Sequence, residues 1–214
     1  MGEPNLQLLS FLALSFGIRT FVETGTAHGA TALKASKIFP NVHTIELADG
    51  MYKKSLALLS GKASCYHGRS VNVLQKILPS MGKNPVIYWL DAHYSGGPTA
   101  GVGEQCALLK EIEIINARPG NNDFIIIDDA HVFFSPAVYG QIDWLDVRQW
   151  PDIQEIFGVL AAKDRYTCVL SSCRCMEHGV PDGIVMPEDA ILSAPNWARE
   201  QLYDWLRWSL ILEH

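Results

Sequence analysis

Short β-rich runs alternate with helix-forming stretches along the first two thirds of this chain, and few folds accept that order. Strand-like runs at 20–23, 42–46, 64–67, 85–90 and 124–127 are interleaved with helical stretches at 5–16, 31–38, 50–59, 71–78 and 105–116. The run 85–90 is apolar throughout, as a strand covered on both faces must be. Strand-helix repetition implies parallel strands joined by right-handed crossovers, with helices on both faces. Beyond it come a helical stretch at 153–162, strand-like runs at 166–171 and 183–186, and an amphipathic helix at 197–212 carrying Trp205 and Trp208. The polar, Gly- and Pro-containing run 174–182 makes the last two strands read as a hairpin at one sheet edge. The expectation is one domain over 1–214: a doubly wound α/β, Rossmann-like sheet, mostly parallel, of about seven strands with an antiparallel hairpin at one edge and helices on both faces. Residues 1–19 form a lead-in helix, and Leu212, Glu213 and His214 read as the stump of a purification tag.

The first strand runs into Glu23-Thr24-Gly25-Thr26-Ala27-His28-Gly29, after which a helix begins. A glycine turn between strand and helix leaves the backbone open to a ligand, and the amides opening the helix suit its polar groups. Glu46 closes the next strand, where a carboxylate can accept hydrogen bonds from ribose hydroxyls. A dinucleotide pyrophosphate prefers G-x-G-x-x-G, which this turn departs from. Glu23, two residues before Gly25, would repel a pyrophosphate yet could engage the cationic amino-acid end of S-adenosylmethionine.

At these residues the chain resembles the class I S-adenosylmethionine-dependent methyltransferases, whose first motif is acid-x-Gly-x-Gly-x-Gly. Glu23, Gly25 and Gly29 match it, and Ala27 stands in for the middle glycine. The likeness extends over roughly 20–190 in element order. It implies a cofactor site of Glu23, Gly25, Thr26, His28 and Gly29, with Glu46 on the ribose and Arg69 and Ser70 beside the adenine. Asp91 would then lie near the transferred methyl.

The densest polar cluster follows strands four and five: Asp91-Ala92-His93-Tyr94 and Asp128-Asp129-Ala130-His131. Carboxyl ends of central strands are where open α/β sheets bind ligands. Carboxylates crowded there repel one another unless a cation or shared protons intervene, and a hard divalent ion such as Mg²⁺ suits three of them. This part resembles the macrocin-type sugar O-methyltransferases, which implies Mg²⁺ on Asp91, Asp128 and Asp129, although the flanking residues differ from that branch. The bland alternative makes Asp128 a turn cap, Asp129 an ion-pair partner and His131 a packed surface group. For proton removal His93 is the first choice, Asp91 the second and His131 the third. The glycine-bearing loop 94–103 reads as a lid over the acceptor. Tyr94, Phe133, Phe134 and Tyr139 are candidates to line the acceptor pocket, with core packing as the alternative.

A net charge of -6 gives no footprint for nucleic acid or an anionic membrane, so the implied partner is a small-molecule acceptor. No apolar run approaches the ~20 residues that span a bilayer, and a cytoplasmic protein is expected. The odd cysteine count suggests no disulfide framework, and Cys168, Cys173, Cys175 and His178 lack the paired spacing of a zinc site. The final helix could pack on its own sheet or form a homodimer interface. The expected activity is methyl transfer to a hydroxylated small molecule, a sugar or natural product, with Mg²⁺ assistance. The alternatives are a nicotinamide-dependent oxidoreductase, a non-catalytic nucleoside-binding protein of the same fold, or a metal-dependent hydrolase.

Overall fold

A computed structural model describes residues 5–94, 101, 103–134, 146–170 and 190–209. The described strands form one seven-stranded sheet. In chain order they are β1 (Thr20–Thr24), β2 (Asn41–Glu46), β3 (Ser64–His67), β4 (Val86–Leu90), β5 (Phe124–Asp128), β6 (Arg165–Leu170) and β7 (Ala190–Pro195). Their spatial order is β3-β2-β1-β4-β5-β7-β6. β1 to β5 are parallel, while β7 runs antiparallel to both β5 and β6. The order reverses between β1 and β4, and there the first two loops on the carboxyl side part.

The helices are α1 (Leu6–Phe16), α2 (Ala30–Ala35), α3 (Asp49–Leu58), α4 (Ser70–Ile77), α5 (Leu108–Asn116), α6 (Ala130–Phe134), α7 (Ile153–Leu160) and α8 (Arg199–Ser209). Their ends carry local signals. Asn5 caps α1 by accepting the Gln7 and Leu8 amides at 2.9 and 3.1 Å, and Gly17 ends it in the left-handed conformation. Asp152 and Glu155 form a reciprocal capping box on α7, an arrangement that satisfies two otherwise orphaned amides.

Strand periodicity divides the core between the two faces of the sheet. Val22, Tyr88, Leu90, Ile125 and Ile127 pack with Leu74, Ile112 and Ile156 from α4, α5 and α7. Phe21, Ile87, Trp89, Phe124 and Ile126 pack with Leu9, Leu12, Ala32 and Leu202 from α1, α2 and α8. Every residue of β4 and β5 is buried, which is why both strands are apolar in sequence.

Two boundaries depart from the sequence reading. Residues 183–186, expected as the return strand, lie outside the described residues, and the partner of β6 is β7 (Ala190–Pro195). The helix expected from 105 starts at Leu108. Cys106 forms a β-bridge to His93, and the Gln105 amide donates to Gln149 Oε1 at 3.0 Å. These long-range bonds outweigh the helical propensity of residues 105–107.

Candidate functional site

After β1 the chain turns through Gly25 (φ +86°), Ala27 (φ +46°) and Gly29 (φ +79°) into α2. The amides of Gly25 and Thr26 both donate to the Ile45 carbonyl, at 2.9 and 3.1 Å. A Cβ at Gly25 would lie 2.3 Å from the Asp91 carbonyl oxygen. Glycine is therefore demanded here by the end of β4, a protein contact, and not only by ligand access. Ala27 occupies a left-handed conformation that costs an L-residue roughly 1–2 kcal/mol. Its amide donates to Glu46 Oε2 at 2.8 Å, while Glu46 Oε1 accepts the Ala48 amide at 2.7 Å. Buried Glu46 thus ties the turn after β1 to the turn after β2 and presents its carboxylate where they part.

Thr26 is buried with its hydroxyl against that of Thr44, and His28 stands exposed at the tip. Glu23, which the sequence aimed at a cationic ligand, is only 2% exposed. Thr44 and Thr31 hydroxyls bond its carboxylate. Burial, with the charges of Asp91 and Glu46 adding, pushes it up to about 8. Across the turn after β3, exposed Arg69 forms an ion pair with Glu104, and buried Ser70 opens α4 with its hydroxyl bonded to Glu111.

The second cluster forms where β4 and β5 end. His93 lies between two carboxylates: Nδ1 is 3.4 Å from Asp91 Oδ1, and Nε2 is 3.0 Å from Asp129 Oδ2. Among the described residues, Asp91, His93 and Asp129 bring ligand-type atoms within 4.8 Å of one another. Asp128 is not in this group. It is 2% exposed and lines a small internal cavity of about 10 Å³ with Leu90, His93, Cys106 and Glu111. Consecutive strand residues point to opposite faces, so two adjacent aspartates seldom converge on one ion. Asp129 reaches His93 from a left-handed turn at φ +52°. Of the three aspartates expected together, the structure groups Asp91 and Asp129 with His93 and places Asp128 apart from them.

Burial lifts the Asp91 carboxyl to about 7, with the His93 charge opposing and that of Asp129 adding. Burial alone would depress His93. The bond to Asp129 and the carboxylates of Asp91, Asp129 and Asp128 overcome this and raise it above the ordinary histidine value. Asp129 moves the other way: burial opposes its ionisation, but the His93 bond and charge, with His131 adding, hold it below the usual carboxylate range. His131 itself is half-buried on α6.

Gln105, Trp150 and Glu111 belong to this region and were not singled out from sequence. Trp150 packs its ring 5.0 Å from that of His93 and donates its indole N–H to Gln105. It also lines an open cleft of about 410 Å³ with Cys106, Leu109 and Pro151, flanked by Lys110 and Arg148. Glu111 was legible: it interrupts the apolar stripe Leu108, Ile112, Ile115 at helical spacing. Trp150 meets His93 only through the fold, so no local pattern announces it. Of the aromatics proposed for the acceptor pocket, Phe133 is in the core and Phe134 packs against it. Tyr139, most of the loop 94–103, and the residues 173, 175 and 178 considered for zinc lie outside the described residues. Cys65, Cys106 and Cys168 are free thiols. Among the described residues no helix is long and apolar enough to cross a membrane.

No family model matches the sequence, and no curated protein matches it. Solved structures do. The O-methyltransferase TomG from Streptomyces achromogenes, involved in tomaymycin synthesis and solved with S-adenosylmethionine, aligns with a TM-score of 0.62 at 14% identity over 91% of this chain and 80% of its own. An O-methyltransferase from Bacillus cereus, solved with S-adenosylhomocysteine, gives 0.62 at 14% over 88% and 79%. The methyltransferase PaMTH1 of Podospora anserina, also bound to S-adenosylhomocysteine, gives 0.54 at 14% over 89% and 76%. At this identity the likeness establishes the fold alone, a Rossmann-like, mostly parallel sheet with an antiparallel edge pair.

Proposed function

We propose that the protein is an S-adenosylmethionine-dependent methyltransferase acting on a hydroxyl of a small-molecule acceptor, of the sugar or natural-product kind. The observation that carries this reading is the close approach of Gly25 to the Asp91 backbone. It sets the nucleoside turn directly against the Asp91–His93–Asp129 cluster, so a cofactor on one meets an acceptor on the other. In this reading Glu46 takes the ribose hydroxyls, Thr26 and His28 border the cofactor, and Arg69 and Ser70 flank the adenine. The cleft beside Trp150 is of ligand size and admits the acceptor.

Bound here, S-adenosylmethionine would supply an electrophilic methyl on a sulfonium. The chain's task is to align the acceptor oxygen and remove its proton. Both His93 nitrogens face carboxylates, which raise it above the ordinary histidine value. Asp91, lifted to about 7, is then the proton acceptor, since a base works best when its pKa lies near the operating pH. This moves the assignment from His93, the first choice from sequence, to Asp91, with His93 stabilising the charge on it. Asp91, His93 and Asp129 also suit a divalent cation in reach and donor type. The imidazole makes the set as fit for Mn²⁺ or another transition metal as for Mg²⁺. Such an ion would supply Lewis acidity to the acceptor oxygen.

A nicotinamide dinucleotide would bring its pyrophosphate towards Glu46 and Asp91, an electrostatic mismatch. Isothermal titration with S-adenosylmethionine and S-adenosylhomocysteine, and with NAD as control, decides between them. Binding of the sulfur nucleosides in the micromolar range, weakened about tenfold or more by Glu46→Ala, is expected. Binding of NAD alone, or of neither class, overturns the reading. Titration with Mn²⁺ identifies the metal set: His93→Ala and Asp129→Asn abolish binding, and Asp128→Asn leaves it.

A further inference from the structure

Glu111 is a buried acid that contacts no ligand in the proposed mechanism. It sits on the inward face of α5, 1% exposed, where the helical pattern calls for an apolar residue. Its Oε2 accepts the hydroxyl of Thr24, the last residue of β1, at 3.4 Å, and its carboxylate also bonds the Ser70 side chain at the start of α4. Among the described residues Oε1 is buried without a hydrogen-bond partner and no lysine or arginine bonds Glu111, which shares a small cavity with His93 and Asp128. Burial accordingly lifts its carboxyl to about 7 against the opposing Ser70 and Thr24 bonds. Such a group is costly to keep unless its bonds do something a leucine could not.

What those bonds join is informative. Thr24 immediately precedes Gly25, and Ser70 immediately follows Arg69. Arg69 is in turn gripped by Glu104, seven residues before Glu111. The segment after β4 therefore holds adjacent residues of the α4 turn with two acids, and through Glu111 holds the end of β1 as well.

We propose that Glu111 is a positioning residue that locks the turn after β1 to the turn opening α4 and so sets the spacing of the two walls of the nucleoside site. The proposal rests on the nucleoside reading of that site, and its test separates the two. Glu111→Leu completes the apolar face of α5 and removes both bonds. Glu111→Gln keeps a carbonyl acceptor for the hydroxyls.

In the full chain without ligand, hydrogen exchange followed by mass spectrometry reads the lock directly. Glu111→Leu speeds exchange about tenfold in segments 24–29 and 68–74 and leaves β5 and α7 at the wild-type rate. Glu111→Gln restores protection. Affinity for S-adenosylhomocysteine, measured on the folded protein, falls about tenfold in Glu111→Leu and returns in Glu111→Gln, a pattern that a merely structural role does not produce. Ser70→Ala weakens binding in the wild type and adds little in Glu111→Leu. Unchanged exchange in both segments, or acceleration spread evenly over the chain, overturns the proposal. A wild-type protein that binds no sulfur nucleoside defeats the methyltransferase reading, while the ligand-free exchange comparison still decides the role of Glu111.

Discussion

At the amino-terminal end of β4 and β5 the buried charges pair with one another, with only the Arg118 Nε left unbonded among them. Arg118 pairs with Asp123 and donates to the Tyr88 hydroxyl and to the carbonyls of Gly82 and Asn84 at 3.0–3.1 Å. Arg165 donates to the carbonyls of Asp123 and Ser193 at 2.7 and 2.9 Å. At the carboxyl end, Asp91, Asp128, Asp129 and Glu111 surround His93, and Glu23 and Glu46 crowd Asp91 from its other side. Burial pushes three of these acids, Glu23, Asp91 and Glu111, to about 7 or 8. One end spends its polar groups on each other. The other keeps an excess of acid that a bound cation or mobile protons would relieve, and perturbed groups concentrated in this way mark functional sites.

The contrast is testable through stability, where the two ends should answer oppositely. The largest loss is expected from Arg118→Met. It leaves the buried Asp123 carboxylate unpaired, and breaking such a pair from one side costs about 3–5 kcal/mol. Urea unfolding should show that loss, while affinity for S-adenosylhomocysteine measured under native conditions stays near wild type. A variant as stable as the wild type would mean that the paired set contributes nothing to the fold.

Next comes Glu23, where the sign follows from its direction of shift. Its folded value of about 8 stands above the model-peptide 4.5, so between those pH values the folded protein holds a proton that the unfolded chain has released. Stability is therefore greatest below about pH 4.5 for this group and declines as pH rises to about 8. The loss reaches at most about 5 kcal/mol at about 1.4 kcal/mol per pH unit. Glu23→Gln should flatten this slope in thermal melts taken from pH 5 to pH 8. An unchanged slope would place the proton elsewhere in the cluster.

Gly25→Ala should cost less, about 1–3 kcal/mol for the left-handed backbone, with the Asp91 carbonyl forced to shift from the new Cβ. Because the strain falls where the two half-sites touch, nucleoside affinity should drop along with the melting temperature. Full retention of binding would uncouple the turn from β4.

Strands β4 and β5 were legible because burial on both faces writes an unbroken apolar run. The place of Glu46 at the end of β2 was legible from the strand pattern before it. β7 was missed: it lies only a few residues from the stretch chosen instead, and its Ser193 and terminal Pro195 blur a short apolar pattern. Cys106 is drawn out of its helix by a bridge to a residue thirteen positions earlier, which local propensity does not register. The grouping of His93 with Asp91 and Asp129 was not legible, because it depends on the alternation of side chains at the end of β5 and on the left-handed turn at Asp129.

Asp129→Asn sharpens the comparison most, though its effect on stability should be the smallest. Asparagine tolerates positive φ better than most other residues, so the turn survives, and what is lost is the bond to His93 that holds Asp129 below the usual carboxylate range. Stability should fall by about 0.5–1.5 kcal/mol. The imidazole, however, loses its charged partner at Nε2 and with it the support for the charge on Asp91. Methyl transfer to a hydroxylated acceptor should fall by about 10²-fold or more, with the affinity for S-adenosylhomocysteine little changed. A destabilised protein with intact activity would reverse the assignment and make the carboxyl end as structural as the amino end.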